Sequence, residues 1–127
     1  MSEATTRGVR VEAQSFFVPE RSSEANNYYF FAYRIRITNV GEETVQLISR
    51  HWVITDANGE VQEVRGPGVV GAQPVLRPGQ NFEYTSFCPL PTAVGAMEGS
   101  YQMVSEEGES FDAQVAAFTL ATPHALN

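Results

Sequence analysis

Tyr29, Phe31, Tyr33, Ile35 and Ile37 occupy every second position of one run, and a period of two places all five on one face of a β-strand. The positions between them begin apolar, with Tyr28, Phe30 and Ala32, and turn polar, with Arg34, Arg36 and Thr38. The first half of this strand is therefore expected to be covered on both faces. Residues 8–18 read as an earlier strand stopped by Pro19, and the polar stretch 19–27 as a mobile hairpin loop. Residues 44–55 form a β-branched and aromatic run centred on Trp52. Turn residues follow, with Asn58 and Gly59 able to take positive φ. Further strands are expected over 60–65, 81–87, 96–105 and 110–120. They are separated by a glycine and proline-rich stretch at 66–78, a proline-bounded crossover at 88–95 and an acidic turn at 106–109. About seven strands at roughly ten-residue spacing, with no run of helical period, predict an all-β antiparallel sandwich of the immunoglobulin or fibronectin type III kind. The whole chain, 1–127, is expected to be one domain with its core over about 8–120 and short flexible tails at both ends.

Composition narrows the chemistry. All 8 basic residues are Arg, so a Walker-A lysine, a Schiff-base lysine and a lysine general base are absent. A net charge of −7 argues against nucleic acid and anionic membranes as partners, because both rest on many phosphate-pairing cations. The single Cys88 rules out an intrachain disulfide and fits a reducing compartment, so the cytoplasm is expected. No stretch approaches the roughly eighteen uncharged apolar residues of a membrane span.

Few residues could carry catalysis. A nucleophile needs a base within reach and a third group to orient that base. Only Cys88 with His51 could be assembled, since His124 falls in the C-terminal tail. Next to Pro89, Cys88 reads as a small hydrophobe at a strand end, and His51, beside Trp52, faces away from the core. Three Cys or His residues in all, without metal-ligand spacing, exclude a structural zinc site. No metal or cofactor is expected, and Glu106, Glu107, Glu109 and Asp112 read as a solvated turn.

The conspicuous motif is Gly66-Pro67-Gly68-Val69-Val70-Gly71, a literal GxGxxG. A dinucleotide fold needs a helix directly behind those glycines and an acid about twenty residues on. Pro67 deletes one backbone donor inside the loop, Pro74 and Pro78 forbid that helix, and no acid stands at 90–95. Two readings remain: a crossover in which the glycines serve turns, or a concave run of amides at Gly66, Gly68 and Gly71 that binds a small phosphate beside Arg65 and Arg77. Arg34, Arg36 and Arg50 lie on strands that could be neighbours and extend the cationic surface.

Several blocks together are similar to the ApaG family. They are residues 49–59 around Ser49-Arg50-His51-Trp52, residues 66–74 with the glycine motif, Leu76-Arg77-Pro78-Gly79 with Phe82 and Tyr84, and residues 95–103 around Gly99-Ser100-Tyr101. Their order and spacing cover nearly the whole chain. The resemblance implies a bacterial cytoplasmic sandwich domain without established catalytic residues. It also implies an association with cobalt and magnesium handling and with diadenosine tetraphosphate metabolism through gene neighbourhood. Related eukaryotic domains look like protein-binding modules. Gln80, where the family often has an acid, and the absence of Lys depart from its pattern. The expected function is thus a non-enzymatic module that binds a protein partner through a strand edge or loop end, with phosphate or nucleotide binding at residues 66–71 as the alternative.

Overall fold

The computed structural model describes residues 1–125, and the alternation read from the sequence becomes two facing antiparallel sheets. Strands β1 (Ser2–Thr6), β2 (Val9–Phe17), β3 (Tyr29–Asn39), β4 (Val45–Asp56), β5 (Val61–Pro67), β6 (Val75–Leu76), β7 (Asn81–Leu90), β8 (Val94–Ser105) and β9 (Ser110–Ala121) follow in order. The first sheet runs β1-β2-β3-β7; the second runs β5-β4-β8-β9, with β6 also paired to β4. Residues 91–93 carry the chain between sheets, so the expected crossover is real but shorter. Pro89 lies inside β7, an edge strand, where a missing N–H is tolerated.

Strands β2, β3, β4, β7, β8 and β9 bury an inner face because their period matches the pleat. Phe31, Ile35 and Ile37 from β3 meet Leu47 from β4, Met97, Tyr101 and Met103 from β8 and Leu120 from β9, all within 1% of full burial. Trp52 sits among them, its ring edge-on to Tyr33, Tyr101 and Phe118 at 5.5–6.0 Å between centroids. That geometry suits aromatic quadrupoles.

Three expectations are corrected. Residues 2–6, expected as a flexible tail, form β1. Their polar side chains do not disqualify them, since an edge strand needs only its main-chain ladder to β2 and the help of contacts such as Ser2 Oγ–H to the Ala116 carbonyl, 2.7 Å. The strand total is nine among the described residues rather than about seven, because β1 and the two-residue β6 carry too little pattern to be seen. Residues 19–27, expected to be mobile, are pinned. They form two 3-10 turns, Pro19–Arg21 and Glu24–Asn26, tied down by Val18 N–H to the Phe30 carbonyl and by Ser22 Oγ, which accepts from Phe30 N–H and donates to the Val18 carbonyl. The expected frayed end at 122–127 lies partly outside the described residues.

Candidate functional site

The main-chain groups of the glycine motif are largely engaged with one another and with β4. The Gly68 amide donates to the Ile48 carbonyl, and Val69 and Ala72 exchange both main-chain bonds around a two-residue turn. Val70 and Gly71 both have positive φ, 43° and 81°, as a type I′ turn requires. Arg50 donates from Nη1 to the carbonyls of Pro67 and Gly68 at 2.9 and 2.8 Å. A Cβ on Gly66 would stand 2.9 Å from that guanidinium and push it aside. Arg50 lies opposite Tyr101 in the ladder and so starts from the inner face of its sheet. It does not join Arg34 and Arg36, which sit on the outer face of the other sheet. Arg65 lies opposite His51 on the outer face, exposed. Arg77 follows β6, which pairs with Val45 and Gln46, some positions along β4 from the glycines. Arg50 thus meets the loop at Gly66 and Gly68, whereas Gly71 lies at the open tip of the turn and Arg65 and Arg77 stand apart.

Cys88 and His51 do not meet. The thiol faces the interior, where burial pushes its pKa from 9.0 up to about 11. His51 Nε2 lies 3.0 Å from Glu63 Oε1 on the outer face of the other sheet. No group of three or more His, Cys, Asp or Glu is placed to hold a metal ion among the described residues, and none of the described helices is long and apolar enough to cross a membrane.

A different region concentrates unusual chemistry. On the outer face of the first sheet, register places Phe16, Ala32 and Phe87 in one row across β2, β3 and β7, then Gln14, Arg34 and Thr85, then Glu12, Arg36 and Glu83. The first row is apolar and the third charged. Phe87 is 52% exposed, Tyr28 42% and Phe16 37%, whereas Ala32 between the two phenylalanines is 8% exposed. Tyr28, Phe30 and Phe87 continue as a chain of rings, 6.3 and 5.4 Å between centroids. The 19–27 excursion lays Arg21 over them, its guanidinium carbon 4.2 Å from the Phe30 centroid and 5.6 Å from that of Phe87. Arg34 stands 5.3 Å from the Phe16 centroid. Farther along, Arg34, Arg36 and Glu83 pair at 3.7 and 3.2 Å beside a shallow depression of about 200 Å³.

The sequence had signalled this face without identifying it. Apolar residues on both sides of the first half of β3 implied a cover, and the cover proves to be Arg21 and neighbouring rings rather than a further layer. Phe16 and Phe87 carry no signal of their own, because single aromatics on strands are ordinary. Only register puts them on either side of Ala32.

The comparisons agree with this architecture. The model of the ApaG domain matches residues 19–105. Protein ApaG of Paramagnetospirillum magneticum is 55% identical over 124 residues, covering 98% of this chain and 95% of its own. Protein ApaG of Dechloromonas aromatica is 53% identical over all 127 residues, with both chains fully covered. A crystal structure of the protein designated ApaA from Bordetella pertussis superposes with a TM-score of 0.90 at 52% identity, over 92% of this chain and 95% of that one. The chain belongs to the ApaG family.

Proposed function

We propose that this chain is a non-catalytic binding module that docks a protein partner on the outer face of its first sheet, in the cytoplasm. The observation that carries the reading is the row Phe16-Ala32-Phe87, a small residue between two exposed aromatic walls with Arg21 and Arg34 stacked above. Aromatic and arginine side chains are the residues that dominate protein interfaces, because they bury much area with few degrees of freedom. A monomer gains nothing from leaving such rings in water. The glycine loop supports the same reading, since its inward bonds account for the motif as architecture.

Site-specific photocrosslinking tests it. Benzoylphenylalanine placed at position 87 in living cells is expected to give one or a few discrete protein adducts. The same group at position 62, on β5 in the other sheet, is expected to give none of them. Identical adduct patterns from the two positions would overturn the assignment of this face.

A further inference from the structure

The main-chain groups beside this face are as suggestive as its side chains. In a strand, the N–H and C=O of one residue point to the same side and alternate along the chain. Asn39 donates to Gln80 and accepts from Gly79, on the β7 side, whereas Val40 and Phe30 bond to Gly8 and Val18, on the β2 side. Odd positions of β3 therefore serve β7. Their ladder partners are Phe82, Tyr84, Ser86, Cys88 and Leu90. The main-chain groups of Asn81, Glu83, Thr85 and Phe87 consequently face away from β3, along the side where β7 ends its sheet. Pro89 contributes only a carbonyl there. These same residues carry their side chains on the outer face, beside Arg34, Arg36 and the rings.

Resting on the reading just proposed, we infer that the partner is an extended acidic segment of another protein that adds as a strand along β7. Strand addition supplies main-chain bonds for affinity and leaves alternate side chains for specificity. An aliphatic side chain of the added strand lies next to Phe87, at the level of the small Ala32. A carboxylate two residues away lies within reach of Arg21, which pairs with no carboxylate among the described residues. Apart from Glu20 and Glu24 on the 19–27 excursion, the charge order along the strands supports acidity at that end. Glu12 and Glu83 belong to the row of Arg36, whereas the rows of Phe87 and Thr85 hold no acid on β2, β3 or β7. Pro89 and the charge of Glu83 guard the two ends of the edge against indiscriminate pairing, which leaves Thr85 and Phe87 as its receptive centre.

The test is selection of a random twelve-residue peptide display library against the full chain, followed by binding of the enriched peptides to variants. Enriched sequences are expected to alternate, with an acid two positions from an aliphatic residue. Their affinity is expected to fall at least about tenfold for Arg21→Glu and for Thr85→Pro. The proline leaves every bond to β3 in place, as the neighbouring Pro89 shows is tolerated; should it nonetheless unfold the chain, Arg21→Glu and Phe87→Asp decide. An unenriched library overturns the inference. So do enriched peptides without acids, or peptides that bind Arg21→Glu and Thr85→Pro as tightly as the parent. In those cases, adducts specific to position 87 would leave the docking face itself standing. Sedimentation showing a dimer of this chain that Thr85→Pro dissociates would overturn it in favour of a second copy.

Discussion

Gly68 and Gly71 share one hairpin, yet they are glycines for different reasons. A Cβ on Gly68 would lie 2.3 Å from the Ala72 carbonyl oxygen, at a φ of +59°, while one on Gly71 would meet nothing within 4 Å. Gly68→Ala must therefore move backbone, and is expected to cost about 2–4 kcal/mol in urea unfolding. Gly71→Ala carries only the left-handed penalty of about 1 kcal/mol. Val70 is the inverse case. It is β-branched, 61% exposed and held at a φ of 43°, where a branched side chain is strained. Val70→Asn suits the type I′ turn and is expected to stabilise by about 0.5–1 kcal/mol; a loss of stability would show that the Val70 side chain makes compensating contacts. The sequence made the glycines legible as breakers, but not their cause. The group that a side chain at Gly66 would displace belongs to Arg50, sixteen positions earlier, and no local spacing announces that meeting.

At the scale of elements, Arg50 joins β4 to the segment leaving β5. Its two charge-assisted bonds to the Pro67 and Gly68 carbonyls hold the hairpin against the sheet, beside the Gly68 amide and Gln73 side chain that both donate to Ile48. Arg50→Ala leaves those carbonyls without their cation and is expected to cost about 2–3 kcal/mol. Arg50→Lys is expected to restore less than half, because one ammonium does not reproduce a planar fork. Hydrogen exchange separates this from a general loosening: the Ala72 amide is expected to exchange faster by a larger factor than amides of β8. Equal acceleration everywhere would deny the hairpin a separate clamp. Sequence pattern recovered β5 and the strands with buried alternating faces, β2, β3, β4, β7, β8 and β9, because in the latter burial and period coincide. It missed β1, whose side chains are polar or small and whose order comes from pairing, and β6, which is two residues long. The aromatic outer face stayed hidden for the same reason, since each contributing strand shows one ordinary aromatic there and only lateral register aligns them.

The whole molecule is fastened along one side and open along the other. On the fastened side, Ser2 and Ser15 hydroxyls donate to the carbonyls of Ala116 and Thr119 at 2.7 and 2.6 Å, and the Gln114 amide donates to Thr6 Oγ1, so β1 and β2 are stitched to β9. On the other side β7 and β5 end their sheets. The strands next to that side fill the interior with ionisable groups: Tyr33 and Cys88, with the Tyr84 and Tyr101 hydroxyls hydrogen-bonded at 2.5 Å. Burial is the leading cause that raises the pKa of each tyrosine above 10.0, and it takes Cys88 from 9.0 to about 11. All four groups are neutral when protonated, so the folded state holds these protons more tightly than the unfolded chain. Their stabilising contribution is complete below the unfolded values and is lost as pH rises through the folded ones. Unfolding free energy is therefore expected to begin falling near pH 9, with Cys88 alone accounting for up to about 2–3 kcal/mol by pH 11. Cys88→Ala is expected to flatten the early part of that fall while lowering stability at neutral pH through the lost volume. Urea unfolding of parent and variant at half-unit steps from pH 7 to 11 separates the two effects. A parallel decline in both proteins would place the alkaline weakness entirely in the tyrosines.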